Sequence, residues 1–312
     1  MKLSDFFTKY RSYLYVLLSF LCLTPWVSPP IALLTGLIFA LTLGSAFPVF
    51  NKKASKYLLQ ISIVGLGFGM NLQDSLRSGA EGIYFTICSV VAVMLAGVLL
   101  GRFLKVGEKT AYLISSGTAI CGGSAIAATA PLAKANDAEI SVSLAIVFML
   151  NALALFIFPV LGHYLNLSEQ EFGTWAAIAI HDTSSVVGAG AAYGEEALQV
   201  ATTVKLTRAL WIIPLSLFTA FFFKTKSEKL HIPWFILFFV LAMVISSYAN
   251  IPQEITKSLT SVARQALTLT LFFIGAGLSR QAIKSVGFRP FIQGFLLWVF
   301  IGIISLCFVC FF

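Results

Sequence analysis

The chain has 312 residues, 58% of them hydrophobic and 11% charged, with a formal net charge of +8 and a mean hydropathy of +0.91. Soluble domains are roughly 45–50% apolar and about 25% charged, and no core is large enough to absorb that difference, so a soluble globular fold is excluded. The positive charge does not point to nucleic acid, because Lys and Arg fall mostly in short loops between apolar runs, the pattern of membrane topology.

No Asp, Glu, Lys or Arg occurs in residues 12–51, 82–101, 110–133, 140–168 or 290–312. About 20 apolar residues span a bilayer as a helix, so the sequence predicts an all-α polytopic membrane protein. At the start, Lys2, Lys9 and Arg11 precede "SYLYVLLSFLCL", and "TPWVSPP" follows where a signal peptide would show a small-x-small cleavage site. An uncleaved first helix over 12–26, starting in the cytoplasm, is expected. Pro29 and Pro30 separate it from a second helix over 31–47. Further apolar segments cover 55–72, 82–104, 110–134, 138–165, 172–193, 197–223, 233–249, 258–279 and 290–311.

Basic clusters mark alternate loops: Lys52, Lys53 and Lys56; Arg102, Lys105 and Lys109; Lys224, Lys226 and Lys229; Arg280, Lys284 and Arg289. Placing all four and the N-terminus inside is self-consistent. The count of spans then depends on segments 110–134 and 172–193: eleven if both cross, nine if both re-enter. No hydrophilic stretch is long enough for a soluble domain. The chain therefore reads as one transmembrane domain, with first helices over 12–104, a duplicated broken-helix core over 107–223 and C-terminal helices over 231–312. The five cysteines, Cys22, Cys88, Cys121, Cys307 and Cys310, lie in apolar segments and form no disulfide framework. "CFVC" at 307–310 matches a redox motif by spacing alone.

The duplication is read from "GTAICGGSAIAATAP" at 117–131 and "AIAIHDTSSVVGAGA" at 177–191, in which Cys121 and His181 stand 60 residues apart (181 − 121). Each copy has an apolar half-segment, a polar break, a small-residue half-segment and then a long helix, the pattern of transporter repeats with discontinuous helices at the midplane. "GLGFGMNL" at 65–72 and "FIGAGLS" at 273–279 form a second, weaker echo, with Gly67 over Gly275 in helices of opposite direction. Small residues also serve close helix packing.

Irregular backbone at membrane depth survives only inside protein or beside a wet cavity. A half-helix that starts after a break points its N–H groups and positive dipole end at the break, which favours an anion. Around the breaks stand Cys121, Gly122, Gly123 and Ser124 in the first copy, and His181, Asp182, Thr183, Ser184 and Ser185 in the second. The hydroxyls serve as helix caps, as ligand donors, or as both. Lys205 and Arg208 lie eight and eleven residues past Ala197, roughly 12–17 Å along the next helix and near the bilayer centre. Thr202, Lys205 and Arg208 share a face; the first copy has Val142, Ala145 and Phe148 there. Charges at this depth are functional candidates. Asp182 either neutralises one of the two cations or carries a coupling ion, and two cations against one acid leave a positive surplus. His181 is a proton acceptor or a hydrogen-bonded structural group. Asn71 and Asn151 are weaker signals. No metalloprotease, nucleophile-elbow or phosphate-loop motif is present, and "GLGFG" lies inside an apolar helix, so no enzyme activity, cofactor or metal is expected.

"SSGTAICGGSAIAATAP", "AIHDTSSVVGAGAAYG" and "VKLTRALWIIP" resemble, in order and spacing, the signature blocks of a bacterial sulfate exporter family of inner-membrane proteins. The likeness runs from the second segment onward. That family is related to the cation–proton antiporter and bile-acid-transporter-like superfamily, which implies inverted repeats, two crossed discontinuous helices, and a core moving against a dimerising scaffold. The sulfate label is itself an inference, so the resemblance bears on fold more than on substrate. Together these readings lead to one expectation: a secondary transporter of a small anion, with H⁺ or Na⁺ as coupling ion, in a bilayer, with a homodimer implied. The alternatives are a cation/proton antiporter using Asp182 with Lys205, and a membrane sensor without flux.

Overall fold

Apolar runs of this length have no water to bond their backbone, so N–H and C=O groups are satisfied within helices. The computed structural model describes residues 3–24, 26–44, 46–73, 83–224, 234–249, 251–277 and 286–311, and fourteen helices occupy them. In chain order they are α1 (Leu3–Leu21), α2 (Pro29–Leu43), α3 (Pro48–Gly67), α4 (Ile83–Phe103), α5 (Glu108–Ala119), α6 (Gly123–Leu132), α7 (Asp137–Tyr164), α8 (Glu169–Ala179), α9 (Thr183–Tyr193), α10 (Glu195–Ala209), α11 (Ile212–Phe222), α12 (Trp234–Tyr248), α13 (Gln253–Gly277) and α14 (Phe288–Phe311). Among the described residues, five stretches are long and apolar enough to cross a membrane: Phe85–Phe103, Asp137–Tyr164, Glu195–Phe222, Gln253–Gly277 and Phe288–Phe311. Pro29–Leu43, Gly123–Leu132 and Phe235–Tyr248 are apolar but shorter. The chain is an all-α, polytopic membrane protein. Of the loop charges, Lys226, Lys229, Arg280 and Lys284 lie outside the described residues.

Prolines and polar caps set several helix starts. Pro29 and Pro48 open α2 and α3, where the missing N–H costs nothing. Asn136 and Glu139 close a reciprocal capping box on α7, and Ser168 and Glu171 do the same for α8. The segment expected as one helix over 197–223 is two, α10 and α11, joined by a tight turn at Leu210–Trp211. Pro214 explains it: its ring excludes the helical bond to the carbonyl of Leu210, and Ile213 N–H bonds that carbonyl in a three-residue turn. Lys105, Lys134 and Lys224 follow the ends of α4, α6 and α11 with φ of 55°, 52° and 48°.

The helices sort into two compact units that cut across chain order: Met1–Gln73 with Trp234–Gln281, and Asp74–Pro233 with Ala282–Phe312. In the first unit, α13 packs on α2 and α3, and α3 also packs on α12. The α2–α13 crossing is close enough to exclude side chains: a Cβ on Gly36 would lie 2.3 Å from the Phe272 carbonyl oxygen, and one on Gly275 would lie 2.4 Å from that of Leu33. Gly67 serves the α3–α12 crossing in the same way, 2.8 Å from the Phe239 carbonyl. The two glycines of the weaker sequence echo thus both mark helix crossings. Tyr15, Phe39, Phe272 and Phe273 fill the core beside them, and the Tyr15 hydroxyl donates to Asn51 Oδ1.

The second unit holds every candidate residue except Asn71. Each interrupted pair packs on the helix that follows it, α5 and α6 on α7, α8 and α9 on α10. Helix α14 packs against α4, α5, α7 and α8, and α9 reaches α7. Its apolar contacts include Leu113 on α5, Ile126 and Ala130 on α6, and Val147 on α7, all buried together.

Candidate functional site

Two non-helical links lie inside the second unit. The first follows Ala119. Ile120 turns away with φ −124° and ψ −83°, and Gly122 takes φ 60° and ψ −123°, a conformation closed to L side chains. The Gly122 N–H reaches back to the Gly117 carbonyl at 2.8 Å. Gly122 is N-cap of α6 without any side-chain cap. The Cys121 sulfur faces the Ser124 hydroxyl and the Ala125 N–H.

The second link follows Ala179 and is made by side chains. Asn151, midway along α7, offers one oxygen to two backbone donors: Oδ1 accepts from His181 N–H at 3.0 Å and from Asp182 N–H at 3.2 Å. In a continued helix those N–H groups would have bonded the Ala177 and Ile178 carbonyls. Asp182 then caps α9, its Oδ2 accepting from the Ser184 N–H at 3.1 Å and from the Ser184 hydroxyl. A carboxylate at a helix N-terminus is stabilised by the dipole and the free N–H groups.

The two links touch. A Cβ on Gly122 would lie 3.4 Å from Asp182 Cα and 3.2 Å from Val147. The sequence twins are therefore neighbours in space. Cys121, Gly122, His181, Thr183, Ser184 and Ser185 are buried, Gly123 and Asp182 are half-buried, and Ser124 is exposed. The accessible edge of the site is Gly123, Ser124 and Asp182.

Both expected cations sit here, fully enclosed. Lys205 is 0% exposed and Arg208 1%. The Lys205 ammonium donates to the carbonyls of Ile120 at 2.9 Å, Ala177 at 3.2 Å and Ile180 at 2.7 Å. Arg208 donates from NH2 to the Ala119 carbonyl at 2.8 Å, and from NH1 to Ser89 Oγ at 3.0 Å and Thr86 Oγ1 at 3.4 Å. The four carbonyls lie at the C-terminal ends of α5 and α8, where partial negative charge collects, and the two hydroxyls are on α4. The direct bonds weighed between Asp182 and a cation are thus not the ones made. Asp182 bonds the start of α9, and the cations bond the ends of α5 and α8, because each charge meets the helix pole of opposite sign.

Not every polar atom is matched. Among the described residues, both ring nitrogens of His181, Asn151 Nδ2 and Arg208 Nε are buried without a hydrogen-bond partner. Asn151 carried only a weak signal in sequence, and Thr86 and Ser89 none beyond two hydroxyls three apart in an apolar run. Of the other weak candidate, Asn71, the side chain accepts from Gln73 N–H outside this unit's site. Among the described residues no group of three or more His, Cys, Asp or Glu could hold a metal ion.

The fold and this enclosed, charged centre define a multi-pass helical membrane protein organised around two adjacent helix interruptions. The chain belongs to the family described as Conserved hypothetical protein 698, whose model matches residues 14–294. A UPF0324 membrane protein of Bacteroides thetaiotaomicron is 61% identical over 289 residues, 92% of this chain and 87% of the relative. One from Porphyromonas gingivalis is 57% identical, covering 92% and 88%, and one from Vibrio vulnificus 48%, covering 96% and 97%. No solved structure matches the chain.

Proposed function

We propose that the chain is a secondary transporter, an exporter, of a small anion such as sulfate or an organic sulfonate or carboxylate. One observation carries this reading: the site has a surplus of donors and of positive charge. Two enclosed cations stand against one carboxylate. Asn151 Nδ2 and Arg208 Nε are buried donors without acceptors, and the His181 ring, whose two nitrogens are both unmatched, adds at least one more donor. Native proteins satisfy nearly all such groups. An oxyanion supplies acceptors here, whereas a cation would need them. The starts of α6 and α9 add partial positive charge, and Ser124 and Thr183–Ser185 bring hydroxyls to the same place.

The anion binds between Ser124, Thr183–Ser185 and the two half-helix ends, with Lys205 and Arg208 balancing it. The sequence likeness to sulfate exporters supports this substrate class, and the 60-residue echo with its matching packing supports inverted repeats and alternating access. His181 and Asp182 are the coupling candidates, for H⁺ or Na⁺. The setting is a bacterial inner membrane with the N-terminus cytoplasmic, and the assembly a homodimer.

A ligand stabilises the native state by mass action, so a thermal-shift screen of the purified protein tests the proposal. Sulfate, sulfonates or carboxylates should raise Tm while Na⁺ and Li⁺ chlorides do not, and the same anions should exchange across proteoliposomes. Stabilisation by Na⁺ or Li⁺ alone, with a ΔpH signal lost in Asp182→Asn, would transfer the role to cation/proton antiport. Silent liposomes and no ligand effect would leave a sensor.

A further inference from the structure

The ammonium of Lys205 has an unusual set of partners: three backbone carbonyls, from two different helix ends, and no carboxylate. The helix breaks create that set. Ile120 and Ile180 lie in the links themselves, and the Ala177 carbonyl is free because Asn151 holds the His181 N–H that would have covered it. Converging carbonyls that replace a hydration shell are how proteins hold monovalent cations. The charge also fits. Two helix C-terminal ends contribute about −0.5 each, and one monovalent cation cancels them. The N···O distances of 2.7–3.2 Å suit an ammonium, and a potassium ion has closely similar size.

We infer that the carbonyl ends of α5 and α8 form a monovalent-cation site, and that Lys205 fills it with a cation covalently tethered to α10. The wild-type chain then needs no free Na⁺ or K⁺ there, and shortening Lys205 uncovers a site for K⁺, NH₄⁺ or a small primary ammonium. The inference is independent of what the protein transports. It concerns what holds the two breaks together, and it is read from binding rather than flux.

The test uses the purified full-length protein in detergent. Lys205→Ala removes the tether and leaves its volume open. Lys205→Met removes the charge but keeps the volume filled. Thermal unfolding is followed while choline is replaced, at constant chloride, by K⁺, NH₄⁺ or methylammonium; choline is too large and has no N–H to donate. Lys205→Ala should gain several degrees in Tm, saturably, with K⁺, NH₄⁺ and methylammonium, and less with Li⁺. Wild type and Lys205→Met should not respond. If Lys205→Ala is recovered folded only when purified in K⁺ or NH₄⁺, the inference also stands. An unresponsive but folded Lys205→Ala, an equal response in Lys205→Met, or aggregation of Lys205→Ala in every salt would each overturn it. No anion stabilisation of the wild-type chain in the screen above, with this cation response of Lys205→Ala intact, would remove the transport proposal and leave the cation site.

Discussion

The two helix interruptions do the same job by different means. The first copy relies on backbone: Gly107 and Gly122 are the N-caps of α5 and α6, and neither has a side-chain cap. The second relies on side chains: Ser168 with Glu171 caps α8, Asp182 caps α9, and Asn151 braces the link between them. A glycine link has a bent backbone and nothing else to lose, so it gives close approach. A capped link carries charge and hydroxyls, so it can meet a ligand or a proton. A Cβ on Gly122 would lie 3.4 Å from Asp182 Cα, so a link of bare backbone meets one lined with polar side chains.

The largest expected effect tests whether the second link depends on its brace. Asn151→Leu leaves the buried His181 N–H unmatched, at about 1–3 kcal/mol, and the half-buried Asp182 N–H as well. Tm should fall sharply, and hydrogen exchange should rise over residues 179–184 with little change over 119–124. Faster exchange in both would mean the links are one cooperative unit, and the contrast would fail. Gly122→Ala comes next, costing about 1–3 kcal/mol, because an L residue at that backbone conformation is strained. Gly123→Ala, in the helix beside the Phe148 ring, should cost less, and equal costs would remove the conformational explanation. Asp182→Ala should cost about 1 kcal/mol through the lost cap, while Asp182→Asn keeps a good cap and should unfold near the wild-type temperature. Any flux defect in Asp182→Asn then reports charge rather than folding.

The smallest effect is at the loop end of α8. Hydrogen bonds from the Ser168 hydroxyl and N–H hold the Glu171 carboxyl below the usual carboxylate range. A depressed folded-state value means the contribution is present above the ordinary carboxylate pKa and is lost as pH falls through the depressed one. Acid should loosen the start of α8 slightly, and Ser168→Ala, which removes the hydroxyl donor and keeps the backbone N–H, should reduce that response. Exchange at residues 168–174 between pH 6 and 3 would show it.

Much of this contrast was legible in sequence because breaks are local. Gly122-Gly123 and "HDTSS" are helix-breaking or capping residue types wherever they occur, and the depth of Lys205 and Arg208 follows from counting along a helix. Their partners were not legible. A carbonyl freed by a break has no letter of its own, so the acceptors of Lys205 could only be weighed as Asp182. Asn151 is one amide in an apolar run, and its two donors lie 30 and 31 residues away. The turn at Leu210–Trp211 had a local signal in Pro214 that hydropathy outweighed. The sorting of α2, α3, α12 and α13 into one unit depends on crossings such as Gly36 on Phe272, which pattern along the chain does not reveal.

At Lys105, Lys134 and Lys224 an exposed lysine occupies the left-handed position that glycine takes more easily. Glycine there would relax the turn and erase a charge of the kind that orients a chain during insertion. At these three corners one side chain both takes up the left-handed bend and carries a charge of the loop, so a single substitution changes both.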